Sequence, residues 1–207
     1  MSRISRSFLE RPVLEVAVDL LGSRITAGGV TIRLTEVEAY AGGRDPGSHA
    51  FRGQTPRTEV MFGRAGHLYV YFTYGMHWCA NIVTGEAGSA SAVLLRGGEV
   101  VAGHEVAATR RAGIRERDWA RGPARLASTL GLGRDDNGAD ACGRATEPRL
   151  EEPVTPVDRT LIRSGPRVGV SGPGGDGDAY PWRFWLDGEP TVSPYRPATP
   201  RPRRPGT

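Results

Sequence analysis

The segment VTIRLTEVEAY, Val30–Tyr40, constrains this chain more than any other. Its apolar residues recur with the period of two that marks a β-strand. That period places Val30, Ile32, Leu34, Glu36 and Glu38 on one face. Two carboxylates thus continue the line of a hydrophobic stripe. A charge carried into an interior needs a partner, because stripping it of water is expensive. The segment fits two arrangements. Either the strand leaves the core after Leu34 and both acids sit in water, or the acids are enclosed and their charge is used.

The rest of the chain divides around this strand into short elements. Residues 12–21 (PVLEVAVDLL) carry Val13, Ala17 and Leu20 on one stripe, with Pro12 at the start and Gly22 past the end, and predict a short helix. Arg24–Ala27 and Val30–Tyr40 read as a strand pair turning at Gly28-Gly29. Residues 41–57 read as a loop, and residues 67–73 and 77–84 as a second strand pair. Residues 91–96 form another strand, and 104–130 are helical with a fresh start at Gly122-Pro123 and a stop at Gly131. A long polar loop is expected over 133–156, and closing strands at 167–170 and 182–186. The pattern predicts a single α+β domain over residues 1–195, followed by a disordered Arg/Pro-rich tail at 196–207.

Composition narrows the chemistry. All 27 basic residues are arginine, so no lysine amine can form a Schiff base. The net charge of +4 equals the four arginines of the tail, Arg196, Arg201, Arg203 and Arg204, which leaves the body balanced. Two cysteines, Cys79 and Cys142, make neither a disulfide framework nor a four-cysteine zinc site. The four histidines lack the His-Glu-x-x-His spacing, so neither a metal nor a cofactor is expected. No run approaches the ~20 apolar residues of a membrane span, and residues 1–10 have no apolar signal core. A cytoplasmic, monomeric protein away from membranes is the expectation.

Two further features invite function. Between the strands of residues 67–73 and 77–84 the turn is Tyr74-Gly75-Met76, where Asn-Gly or Asp-Gly is usual. Large apolar groups on a protrusion suit insertion between base pairs, although a loop folded back on the core accounts for them equally. In strand order, Tyr40, His49, Tyr71 and Asn81 fall close enough to share a pocket. Aromatic faces hold a flat base by stacking, at about 1–3 kcal/mol per base.

Taken together, TEVEAY (residues 35–40), SHAFRGQTPR (48–57), MFGRAGHLYVYFTYGMHWCANIV (61–83) and AVLLR (92–96) resemble the single-domain 3-methyladenine (alkyladenine, methylpurine) DNA glycosylases. RGPARLASTLGL (121–132), PRVGV (166–170) and WRFWLDGEPTVS (182–193) are similar to its later segments in the same order. The resemblance implies a curved antiparallel sheet with flanking helices and a protruding hairpin, like the C-terminal domain of formyltransferases. Its partner is duplex DNA containing a damaged purine, flipped out and hydrolysed at its N-glycosidic bond. Glu38 is the implied general base, polarising the attacking water, which Arg96 and the carbonyl of Val168 help to hold. Tyr40, His49 and Tyr71 sandwich the base. Tyr74 fills the gap in the stack with Met76 beside it. Asn81 stands where the amino group of a normal guanine clashes. The chain departs from the family pattern at His77-Trp78, in an acidic insert within 133–156, and in its tail.

An N-alkylated purine is already cationic and leaves readily, so one carboxylate suffices. Without lysine the expected product is an abasic site in an uncut strand. Two other readings use the same residues. One is a non-catalytic binder of damaged DNA. The other makes Glu36 and Glu38 a sugar hydrolase pair, which their common face opposes, since such pairs flank the bond they cut.

Overall fold

Glycine and proline interrupt the chain often, and the elements between them are short. The computed structural model describes residues 2–73, 75–143 and 146–198. Helix α1 (Arg6–Leu9) starts at Ser5, whose hydroxyl accepts from the Phe8 N–H at 3.2 Å. Helix α2 (Val13–Asp19) follows Pro12. Strands β1 (Arg24–Ala27) and β2 (Val30–Tyr40) join through Gly28 and Gly29, both at positive φ, as a tight primed turn requires. Then come β3 (Leu68–Thr73), β4 (His77–Val83), β5 (Ala92–Ala102), α3 (His104–Arg110) and α4 (Pro123–Leu130). The chain closes with β6 (Arg149–Glu151), β7 (Ile162–Gly165) and β8 (Arg183–Leu186).

One eight-stranded antiparallel sheet runs β3-β4-β5-β2-β1-β6, and β8 joins β2 and carries β7. This is the expected α+β architecture. Strand β2 is paired along both edges. Its first half meets β1, and Glu36–Glu38 meet β8.

The period-two reading of β2 fails at its centre. The pairing with β5 slips between Leu34 and Glu36 and again between Glu36 and Val37, opposite Gly97 and Gly98. A bulge of this kind moves every later side chain to the other face. The main apolar cluster accordingly takes Val30, Ile32 and Leu34, then Val37 and Ala39. Glu36 and Glu38 are therefore opposite the core stripe instead of continuing it. Gly98 permits the slip, because a Cβ there would lie 2.4 Å from both the Arg33 carbonyl oxygen and Ile32 Cγ2.

Helices α2 and α4 cover the core face of the sheet with Val13, Val16, Ala17, Leu126, Ala127 and Leu130. Each large aliphatic side chain so buried contributes about 1.5–3 kcal/mol. The opposite face carries a smaller cluster of Ala50, Met61, Tyr69, Val83, Ala90 and Ala92.

Other expectations need correction. The strand of residues 91–96 continues to Ala102, and the loop of 133–156 contains β6. Between α3 and α4 lies a 3-10 turn at Glu116–Asp118 in place of continuous helix. Residues 167–170 form no strand: Pro166 lacks an N–H, Arg167 turns inward, and Gly169 has φ +70°. At the start of the tail the Arg196 carbonyl accepts from the Gly169 N–H at 3.1 Å, and residues 199–207 lie outside those described. Among the described residues no helix is long and apolar enough to cross a membrane.

Candidate active site

Directly paired residues of antiparallel strands point to the same side, so the register itself assembles the site. Tyr69 pairs with Asn81, Asn81 with Leu94, and Leu94 with Glu38, a row crossing β3, β4, β5 and β2. Tyr71 pairs with Cys79 one step farther along. All of these line one cavity of about 590 Å³, together with Tyr40, Ser48, His49, Arg96 and Val168. Six of the expected functional side chains, Glu38, Tyr40, His49, Tyr71, Asn81 and Arg96, thus share a wall, as does Val168. Glu38 is the only acid on that wall among the described residues.

Glu38 is fully enclosed, at 0 % exposure. Three donors face its carboxylate. The Val168 N–H donates to Oε1 at 2.8 Å, the Tyr40 hydroxyl to Oε2 at 2.8 Å, and Arg96 Nη1 lies 3.4 Å from Oε1. Val168 therefore reaches Glu38 itself through its amide, a contact additional to the carbonyl role the resemblance implies. Burial, and then the charge of Glu38, hold the Tyr40 hydroxyl well above the usual tyrosine range, so it stays a donor.

Glu36 is spent on structure. Its Oε1 accepts from Arg96 Nε at 2.8 Å, Arg183 Nε at 2.7 Å and the Ser193 hydroxyl at 2.9 Å, and its Oε2 accepts from the Ser193 N–H at 2.7 Å. Gly97 makes room for it, since a Cβ at that position would lie 3.1 Å from Oε2. Arg96 is thereby held from behind by Glu36 and presents Nη1 to Glu38.

The aromatic wall is Tyr69, Tyr71 and His49. Tyr69 and Tyr71 stack at 5.4 Å between centroids, and His49 meets Tyr71 edge-on at 4.6 Å. His49 Nδ1 and the Tyr69 hydroxyl share a hydrogen bond of 3.1 Å. Tyr69 is not among the residues expected at the site, yet its spacing of two from Tyr71 signals the same face. Asn81 is buried where it lines the cavity, its amide nitrogen donating to the Tyr69 carbonyl at 3.0 Å.

Although His49 is exposed toward the cavity, desolvation and then the charge of Arg57 lower its pKa from 6.5 to about 4. A neutral ring does not repel a cationic guest. The expected pH–rate profile has no inflection near the ordinary histidine value of about 6.5. His49→Ala should weaken substrate affinity and leave the profile's shape intact. An inflection near that value, lost in the variant, would overturn the assignment.

At the hairpin tip Met76 is 67 % exposed, as the apolar protrusion requires, with Phe72 at 46 % beside it. Phe72 and Trp78 pack ring on ring at 4.8 Å on the face away from Tyr71. Tyr74 lies outside the described residues. No group of three or more His, Cys, Asp or Glu gathers as metal ligands among the described residues.

Fold and cavity define a small α+β protein with one acid in a cavity faced by aromatic rings and an exposed apolar residue on the adjoining hairpin. The chain matches the methylpurine-DNA glycosylase family over residues 7–190 and belongs to it. Curated relatives agree along nearly their whole length. A "Putative 3-methyladenine DNA glycosylase" of Streptomyces avermitilis is 55 % identical over 206 residues, covering 97 % of this chain and 95 % of that one. Proteins of the same description from Leifsonia xyli (54 % identical, 88 % of each chain) and Burkholderia orbicola (41 %, covering 94 % and 92 %) are similar throughout.

Proposed function

We propose that this protein removes alkylated purines, 3-methyladenine and related lesions, from duplex DNA by hydrolysing the N-glycosidic bond. The observation that carries the reading is Glu38: one carboxylate, enclosed by three donors, at the wall of a cavity faced with aromatic rings. A nucleotide reaches such a slot only by leaving the helix, and a damaged or mismatched pair gives it up most readily. The flipped base stacks between Tyr40 on one side and Tyr71 with His49 on the other. Glu38 then polarises the water that attacks the anomeric carbon, and its charge favours the oxocarbenium-like transition state.

Glu38 lines the cavity with its carboxylate wrapped by its own donors. The attacking water enters from the cavity, beside the donors that hold the carboxylate. Arg96 and the Val168 carbonyl steady it. Asn81 opposes the exocyclic amino group of guanine. In the absence of lysine the reaction ends at an abasic site in an intact strand.

Incubation with methylated duplex DNA tests the reading. Free methylated purine, with no strand cleavage before alkali treatment, is the expected result. Tight binding without release would make the chain a binder of damaged DNA. Tyr74 is the residue proposed to fill the vacated stack, with Met76 beside it. Tyr74→Ala should therefore impair release from duplex much more than from single-stranded substrate. Equal losses on both would remove Tyr74 from that role.

A further inference from the structure

Arg167 is 1 % exposed and lines no part of the cavity, yet it adjoins two of the three donors that face Glu38, Val168 and Tyr40. Its guanidinium meets Asp45 in a two-pronged pair, Nη1 to Oδ2 at 2.6 Å and Nη2 to Oδ1 at 2.7 Å. The same nitrogens donate to the Ala39 carbonyl at 3.0 Å and the Gly174 carbonyl at 2.6 Å. The guanidinium carbon lies 4.6 Å from the centroid of the Tyr40 ring, on the side away from the cavity. Asp45 in turn accepts from the N–H groups of Ala41 and Gly47, which anchors the loop leading to His49. Space around the pair is exact: a Cβ on Gly47 would lie 2.5 Å from Arg167 Nη2.

The neighbour of Arg167 in the chain is Val168, whose N–H donates to Glu38 Oε1, while the ring it backs carries the hydroxyl that donates to Oε2. We propose that Arg167, locked by Asp45, is a positioning residue for Glu38, setting one donor on each of its two carboxylate oxygens, Val168 N–H on Oε1 and the Tyr40 hydroxyl on Oε2. Neither Arg167 nor Asp45 touches the substrate. They act through Val168 and Tyr40. Lysine cannot replace the guanidinium here, because a point charge does not satisfy a paired carboxylate and two carbonyls in one plane. A carboxylate left free to rotate loses the alignment on which the attack depends, and misplacement of about 1 Å costs about 100-fold in rate.

The proposal rests on the reaction proposed above, so release of methylated purine by the unaltered protein is scored first; an inactive wild type overturns that reaction and this assignment with it. The test is single-turnover release from methylated duplex DNA by Arg167→Lys and Asp45→Asn, with duplex affinity and thermal unfolding measured on the same samples. The expected result is a chemical step slowed about 100-fold at saturating enzyme, with affinity changed only a few-fold. In a Tyr40→Phe background the Asp45→Asn penalty should shrink, since one of the two contacts it orients is already gone. Asp45→Asn keeps the shape of the site, so it decides the matter if Arg167→Lys fails to fold. A folded variant with an unchanged rate, a loss equal to the unfolded fraction, or strictly additive penalties would each overturn the proposal.

Discussion

Glu38→Gln is expected to abolish most turnover while leaving recognition of damaged duplex nearly intact. Glutamine has the shape of glutamate and keeps an oxygen for the Val168 N–H, so the wall of the cavity persists. Arg96 remains paired with Glu36, so no cation is stranded by the change. What disappears is the charge that polarises water and favours a cationic sugar. Loss of a positioned general base corresponds to about 10²–10⁴ in rate. Single-turnover release from methylated duplex, beside a binding isotherm on the same DNA, measures both halves of the expectation. Turnover near that of the unaltered protein would refute the role of Glu38.

Glu36→Ala should instead strike at stability. Glu36 is the common acceptor for Arg96, Arg183 and the Ser193 hydroxyl and N–H, all buried. Removing it leaves Arg183 without its carboxylate and Arg96 with only its longer carboxylate contact, the one to Glu38, and breaking a buried pair from one side costs about 3–5 kcal/mol. In a domain of this size each kcal/mol moves the midpoint by about 2–4 °C, so a fall on the order of 10 °C is expected. Calorimetry reads it directly. The contrast with Glu38→Gln also disposes of the paired-acid sugar hydrolase. In that reading both variants keep their fold and lose turnover alike, whereas the geometry predicts an unstable protein at Glu36 and a stable, inactive one at Glu38.

Several parts of this arrangement are legible in the residues. The turn at Gly28-Gly29, the bounds of β1 and β2, and the start of α4 at Pro123 follow from local backbone preference, which needs no tertiary context. The hairpin of β3 and β4 follows from its own apolar runs. Motif spacing then indicated which residues belong together, and they do face one cavity. Residues 167–170 illustrate the opposite case. They carry the apolar character of a strand, but Arg167 turns inward to a partner 122 residues away in Asp45 and Gly169 takes a positive φ, so no strand forms. The quartet around Glu36 likewise joins residues from three distant stretches.

By itself the sequence determined the short elements, the strand that bears the two acids, the exclusion of lysine chemistry and the family. Tertiary structure decided which way those acids point. A slip at Gly97 and Gly98 reverses the pleat of β2, so the two carboxylates oppose the core stripe, and one of them meets two arginines while the other meets the cavity. Periodicity records alternation within a strand, whereas a bulge is set by how closely a neighbouring backbone can approach, and that closeness exists only once the strands are side by side.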